Sequence, residues 1–145
     1  MIAFEGFDHI DCRVRSLAAV EAFYDALMPE LGLPQKSFAY VDAQGEWHEI
    51  SGEHGYNTVE YTERPTPGQA PCFFGLIERA DHQPGYTRIA FRVGFDRMFE
   101  LERLLERIGA RNVERSEDLD SYPAVFFEDP QGTKLELVAR RPAAA

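Results

Sequence analysis

Two segments far apart in the chain carry one pattern. DHIDCRV (8–14) and TRIAFRV (87–93) both place Ile-x-x-Arg-Val behind a polar residue, which sets His9 against Arg88. Successive side chains of a strand point to opposite faces. His9, Asp11 and Arg13 therefore share one face and Ile10, Cys12 and Val14 the other, with Arg88, Ala90 and Arg92 opposed to Ile89, Phe91 and Val93 in the second copy. A helical stripe follows each strand. Val20, Phe23, Tyr24, Leu27 and Leu31 recur at helical spacing behind Ser16 as N-cap, and Met98, Leu101, Leu104, Leu105 and Ile108 do so behind Asp96. Gly32 and Pro34 end the first helix, Pro29 shortening its last turn, and Gly109 closes the second.

Further strands follow each helix. FAYVD (38–42) and EWHEI (46–50) read as a hairpin, NTVEYTE (57–63) alternates, and PCFFGLIE (71–78) is an apolar strand after the Pro- and Gly-rich loop 64–71. In the second half RNVER (111–115), AVFFED (124–129) and TKLELVAR (133–140) read as strands, the last two joined by the turn Asp129-Pro130-Gln131-Gly132. RADHQPG (79–85) has no periodicity. The expected organisation is one domain over 1–145: module 1 over about 1–79, a linker over about 80–85, module 2 over about 86–140 and a frayed tail at 141–145. A second echo, DAQGEWHEI (42–50) against DPQGTKLEL (129–137), has a different offset and reads as reused turn chemistry.

Charge narrows the partners. Asp and Glu total 25 against 15 Lys and Arg, a formal net charge of −10. Such a chain repels phosphate backbones and anionic lipid, so neither nucleic acid nor a membrane surface is expected as a partner. No apolar run approaches the ~20 residues of a membrane span. MIAFEGFDHID lacks the basic start and apolar core of a signal peptide, so a cytoplasmic setting is expected. Cys12 and Cys72 have neither redox nor zinc spacing and read as core thiols.

With DHIDCRV and its helix, GYTRIAFRV and its helix, and FFEDPQGTKLELVAR on the page, the chain resembles the vicinal oxygen chelate superfamily. That group holds glyoxalase, bleomycin-resistance and ring-cleaving dioxygenase proteins. The resemblance covers nearly the whole chain. It implies an α+β fold, two βαβββ modules forming a cupped mixed sheet with helices on the outer side, and a homodimer. It also implies a metal held by the first and last strands of each module. His9 matches the first ligand position and Glu136 the last, but Arg88 stands where the second module has a histidine. The position within CFFGLIE offers only Phe73, Phe74, Gly75 or Leu76.

Arginine stays protonated and has no lone pair to give a cation. One histidine and one carboxylate fall short of the sets that zinc or iron requires. The expected function is therefore binding of a small organic molecule over a degenerate metal site, with no cofactor. The substrate-binding candidates are His9, Asp11, Arg13, Arg88, Arg92 and Glu136. Arg88 either pairs with Glu136 or holds an anionic group of the ligand. The alternative is a metal-dependent lyase, isomerase or dioxygenase whose divalent ion (Zn, Ni, Mn or Fe) is held by His9, Glu136 and a third group such as His48 or Glu60. His54 and His82 read as partnerless loop histidines, and Trp47 and Tyr122 as packing or ligand-stacking aromatics.

Overall fold

The computed structural model describes residues 2–144. The fold is α+β with two mixed sheets and falls into two compact units. The first unit comprises the chain up to Leu17 together with Met28–His82; the second comprises Ala18–Leu27 and the chain from Gln83 onward.

In the first unit β1 (His9–Val14), β2 (Gln35–Val41), β3 (Trp47–His48), β4 (Thr58–Thr62) and β5 (Phe73–Glu78) form one sheet in the order β1-β5-β4-β2-β3. Strands β1 and β5 are parallel, and the other neighbours are antiparallel. The register seats His9 opposite Phe73 and Asp11 opposite Gly75, with Gly75 also opposite Glu60 on β4. Val14, Val59, Tyr61, Phe74 and Leu76 are buried, each removing apolar surface from water worth about 1.5–3 kcal/mol.

The second unit repeats the plan. Strands β6 (Arg88–Arg92), β7 (Arg111–Arg115), β8 (Ala124–Glu128) and β9 (Lys134–Val138) take the order β6-β9-β8-β7, with β6 and β9 parallel. Here Arg88 faces Lys134 and Ala90 faces Glu136. Helix α2 (Phe95–Ile108) buries Met98, Leu101 and Leu105 and packs on β7, β8 and β9. Helix α1 (Leu17–Leu27) groups with this unit beyond Leu17, although local sequence order places it behind β1. Its Phe23 ring meets Phe127 of β8 at 6.4 Å.

The helix ends follow capping chemistry, with one departure at the second helix. The Leu17 N–H donates to the Glu78 carboxylate at 2.8 Å, so an acid from β5 satisfies the start of α1. The second helix is capped by Gly94 in extended conformation. Asp96, expected there, lies in the first turn, where its charge complements the helix dipole. Pro29 ends α1 at Leu27, and the stripe position Leu31 falls in a short 3-10 turn (Pro29–Leu31) closed by Gly32 at φ 90°.

Candidate functional site

In the first unit the polar face of β1 carries the expected His9, Asp11 and Arg13. His9 lies flat on Phe73, its register neighbour, with ring centroids 4.4 Å apart and planes within 2°. Its Nδ1 meets Asp8 Oδ2 at 2.6 Å, and its Nε2 stands 3.6 Å from Asp11 Oδ2. The bond to Asp8 is the main cause that raises the imidazole above its usual 6.5, with Asp11 and Glu60 adding to it and burial opposing it. His9 is thus an imidazolium-favouring group between two carboxylates.

Asp11 is held by a missing side chain. A Cβ on Gly75 would lie 2.7 Å from Asp11 Oδ1, so this close approach requires glycine. That Oδ1 is buried without a hydrogen-bond partner. Glu60 leans over the same glycine from β4, and burial, then the charge of Asp11, raises its carboxyl above the usual 4.5. Arg13 is exposed and, among the described residues, its guanidinium reaches only the Asp11 carbonyl at 3.5 Å.

The corresponding face of the second unit carries Arg88 and Arg92 on β6 and Glu136 on β9. Glu136 is 5% exposed and accepts a 2.6 Å hydrogen bond from the Tyr122 phenol. The turn that presents Tyr122 is built on Asp118, whose side chain accepts from the N–H groups of Asp120 and Ser121. The ion pair considered between Arg88 and Glu136 does not form. Tyr122 takes Oε1 of Glu136, and the Arg88 guanidinium lies 4.7 Å over the Phe126 ring instead. Arg140 lies over Tyr122 at 4.5 Å. The bond to Glu136 and then burial raise the phenol above its usual 10.0, against the pull of Arg140 and Arg88.

Two of the remaining histidines have side-chain partners. His48 Nε2 meets Asp42 Oδ2 at 2.7 Å and His54 stacks on Tyr40 at 4.3 Å, whereas the bond of His82 to the Arg79 carbonyl is made by its main-chain N–H. Cys12, within β1, and Cys72, just before β5, are half-buried, not core thiols. Trp47 is half exposed on the short edge strand β3.

Arg88 has no lone pair, and the register identifies Gly75, with no side chain, as the counterpart of Glu136: each sits opposite the third residue of its unit's first strand. Among the described residues no three His, Cys, Asp or Glu side chains converge as ion ligands would. The sequence pattern missed two members of these faces and left a third, Gly75, as one of four possibilities. Asp8 precedes the strand, Arg140 follows β9, and Gly75 carries no chemistry until the register is known.

No protein-family model matches the sequence, and no curated protein matches it. Solved structures do match over nearly the whole chain. A glyoxalase/bleomycin resistance protein from Albidiferax ferrireducens T118 superposes with a TM-score of 0.59 at 19% identity, covering 92% of this chain and 98% of that one. The fosfomycin resistance protein FosX from Listeria monocytogenes, solved with Mn(II) and sulfate, gives 0.62 at 15% identity over 95% and 92%. An integron cassette protein from the mobile metagenome of the Halifax Harbour sewage outfall gives 0.59 at 18% identity over 94% and 100%. No helix of the described residues is long and apolar enough to cross a membrane. The chain thus has the fold of the glyoxalase/bleomycin resistance proteins, in keeping with the resemblance carried by its two repeated strands.

Proposed function

We propose that this protein binds a small organic molecule without a metal ion, on the polar sheet faces that carry His9, Asp11, Arg13, Arg88, Arg92 and Glu136. The reading is carried by two positions where the resemblance expects ligands, on a plan of strands repeated in both units. Arg88 stands where the resemblance expects a histidine, and Gly75 stands opposite Asp11 where Glu136 stands opposite Ala90. A fixed guanidinium charge at such a place opposes a cation. His9 supports the same reading, since Asp8 occupies its Nδ1 and favours the protonated ring, and protonation competes with any ion for its nitrogens. A homodimer belongs to the proposal on the resemblance alone.

The test is metal analysis. Protein incubated with Zn, Ni, Mn or Fe(II) and then desalted is expected to retain no stoichiometric ion by inductively coupled plasma mass spectrometry. Tight retention of one ion per chain, lost in His9→Ala or Glu136→Gln, would overturn the reading in favour of a metal-dependent lyase, isomerase or dioxygenase.

A further inference from the structure

Resting on that reading, we infer that the ligand is an organic oxyanion, a carboxylate or a phosphoryl group, seated by Arg88 and Arg140 on the polar face of the second unit's sheet. The chain has ten more acidic than basic residues. Several guanidinium groups of this unit accordingly find carboxylates: Arg115 forks onto Glu102 at 2.7 and 2.8 Å, and Arg97 meets Glu100 at 2.6 Å. Arg88 and Arg140 have none within ion-pair distance among the described residues. Each instead lies on an aromatic ring, Arg88 on Phe126 and Arg140 on Tyr122. Stacking fixes the guanidinium plane and leaves its N–H edge free for a two-point contact with an oxyanion.

The two rings stand in one place. Phe126 lies opposite Glu136 in the β8–β9 register, and the Tyr122 phenol bonds the same carboxylate, so the two arginines flank the Tyr122–Glu136 pair. Glu136 is the opposing charge there, and the phenol already occupies its Oε1. Two guanidinium groups against one hydrogen-bonded carboxylate leave this patch positive, and exposed Arg92 on the same face adds to it. Ala90, opposite Glu136, is exposed and presents only a methyl, which leaves room for the apolar body of the ligand.

The experiment follows the arginine side-chain Nε–H signals of 15N-labelled protein at mildly acidic pH during titration with benzoate and, separately, phenylphosphonate. Expected are saturable shifts at Arg88 and Arg140 with at least one probe, and none at Arg115, whose fork is filled by Glu102. The probe that saturates identifies the head group. Arg88→Gln and Arg140→Gln are each expected to weaken binding about tenfold or more, as loss of a charge-assisted hydrogen bond does. Both arginines are exposed, so the variants are expected to keep the wild-type melting temperature. No saturable shift with either probe, shifts that include Arg115 equally, or binding unweakened in both variants would overturn the inference. Metal retention on the same preparation separates the two readings: a bound ion would sink the metal-free reading, whereas silent arginines in ion-free protein would sink only the oxyanion seat.

Discussion

The Tyr24 phenol donates to the carboxylate of Asp129 at 2.7 Å, and both residues are fully buried. Asp129 spends its other oxygen on the N–H groups of Gln131 and Thr133, which shape the β8–β9 turn. One acid therefore ties helix α1 to the strand that bears Glu136. A buried carboxylate that loses a donor retains its desolvation cost. Tyr24→Phe is expected to lower unfolding stability by about 1.5–3 kcal/mol, the range for hydrogen bonds to charged groups. Urea unfolding followed by circular dichroism checks this; an unchanged midpoint would show that the bond carries no net stability.

Gly75 and Asp11 make a second dependence that can be measured. An alanine methyl would arrive 2.7 Å from Asp11 Oδ1, too close for both to stay. Gly75→Ala is expected to cost about 1–3 kcal/mol as an overpacked site does. Asp11→Ala removes the obstructing oxygen and is expected to restore most of the loss in the double variant. Additive effects in a double-mutant cycle would mean that backbone change, not this contact, sets the cost.

Much of this could be read from residue order. The alternation in 8–14 and 87–93 survives as β1 and β6, and the stripes behind them survive as helices, because both signals are local periodicities. What periodicity cannot supply is register. Only the pairing of Asp11 with Gly75 and of Ala90 with Glu136 shows which residue of CFFGLIE corresponds to the acid. Turn chemistry behaves differently again. Asp42 and Asp129 each cap their turn by accepting two backbone N–H groups, with Gly45 and Gly132 both at positive φ. Yet one turn joins β2 to β3 and the other β8 to β9, which are not equivalent places in the two units. The D-x-Q-G echo is thus convergence on one stable turn. The grouping of α1 with the second unit rests on buried partners such as Asp129, more than a hundred residues away, which no sequence window contains.

His9 makes the polar face of β1 pH-sensitive. Its folded value is raised above 6.5 chiefly by Asp8, so the folded state binds this proton more tightly than the unfolded chain does. The associated stabilisation is fully present below 6.5 and is lost as pH rises through the folded value. The imidazole is exposed, so the effect on stability is small and the titration itself is the better readout. Following the His9 ring protons by NMR, the wild-type midpoint is expected above 6.5 and that of Asp8→Asn lower than wild type. Equal midpoints would remove Asp8 as the cause.

Glu60 carries the same sign for a different reason. Burial disfavours its charge and Asp11 adds repulsion, so its folded value lies above 4.5 and the folded state takes up a proton there. Its ionisation therefore subtracts from stability as pH rises through that folded value, and the loss is absent below 4.5. Glu60→Gln keeps the shape and removes the charge. The variant is expected to be more stable than wild type at neutral pH and to lose that advantage near pH 4. The relevant measurement is the difference in urea midpoint between the two proteins across that range. A variant less stable than wild type at pH 7 would mean that the Glu60 carboxylate has a favourable partner on this face, and that the crowding of acids around Gly75 is not what sets its protonation.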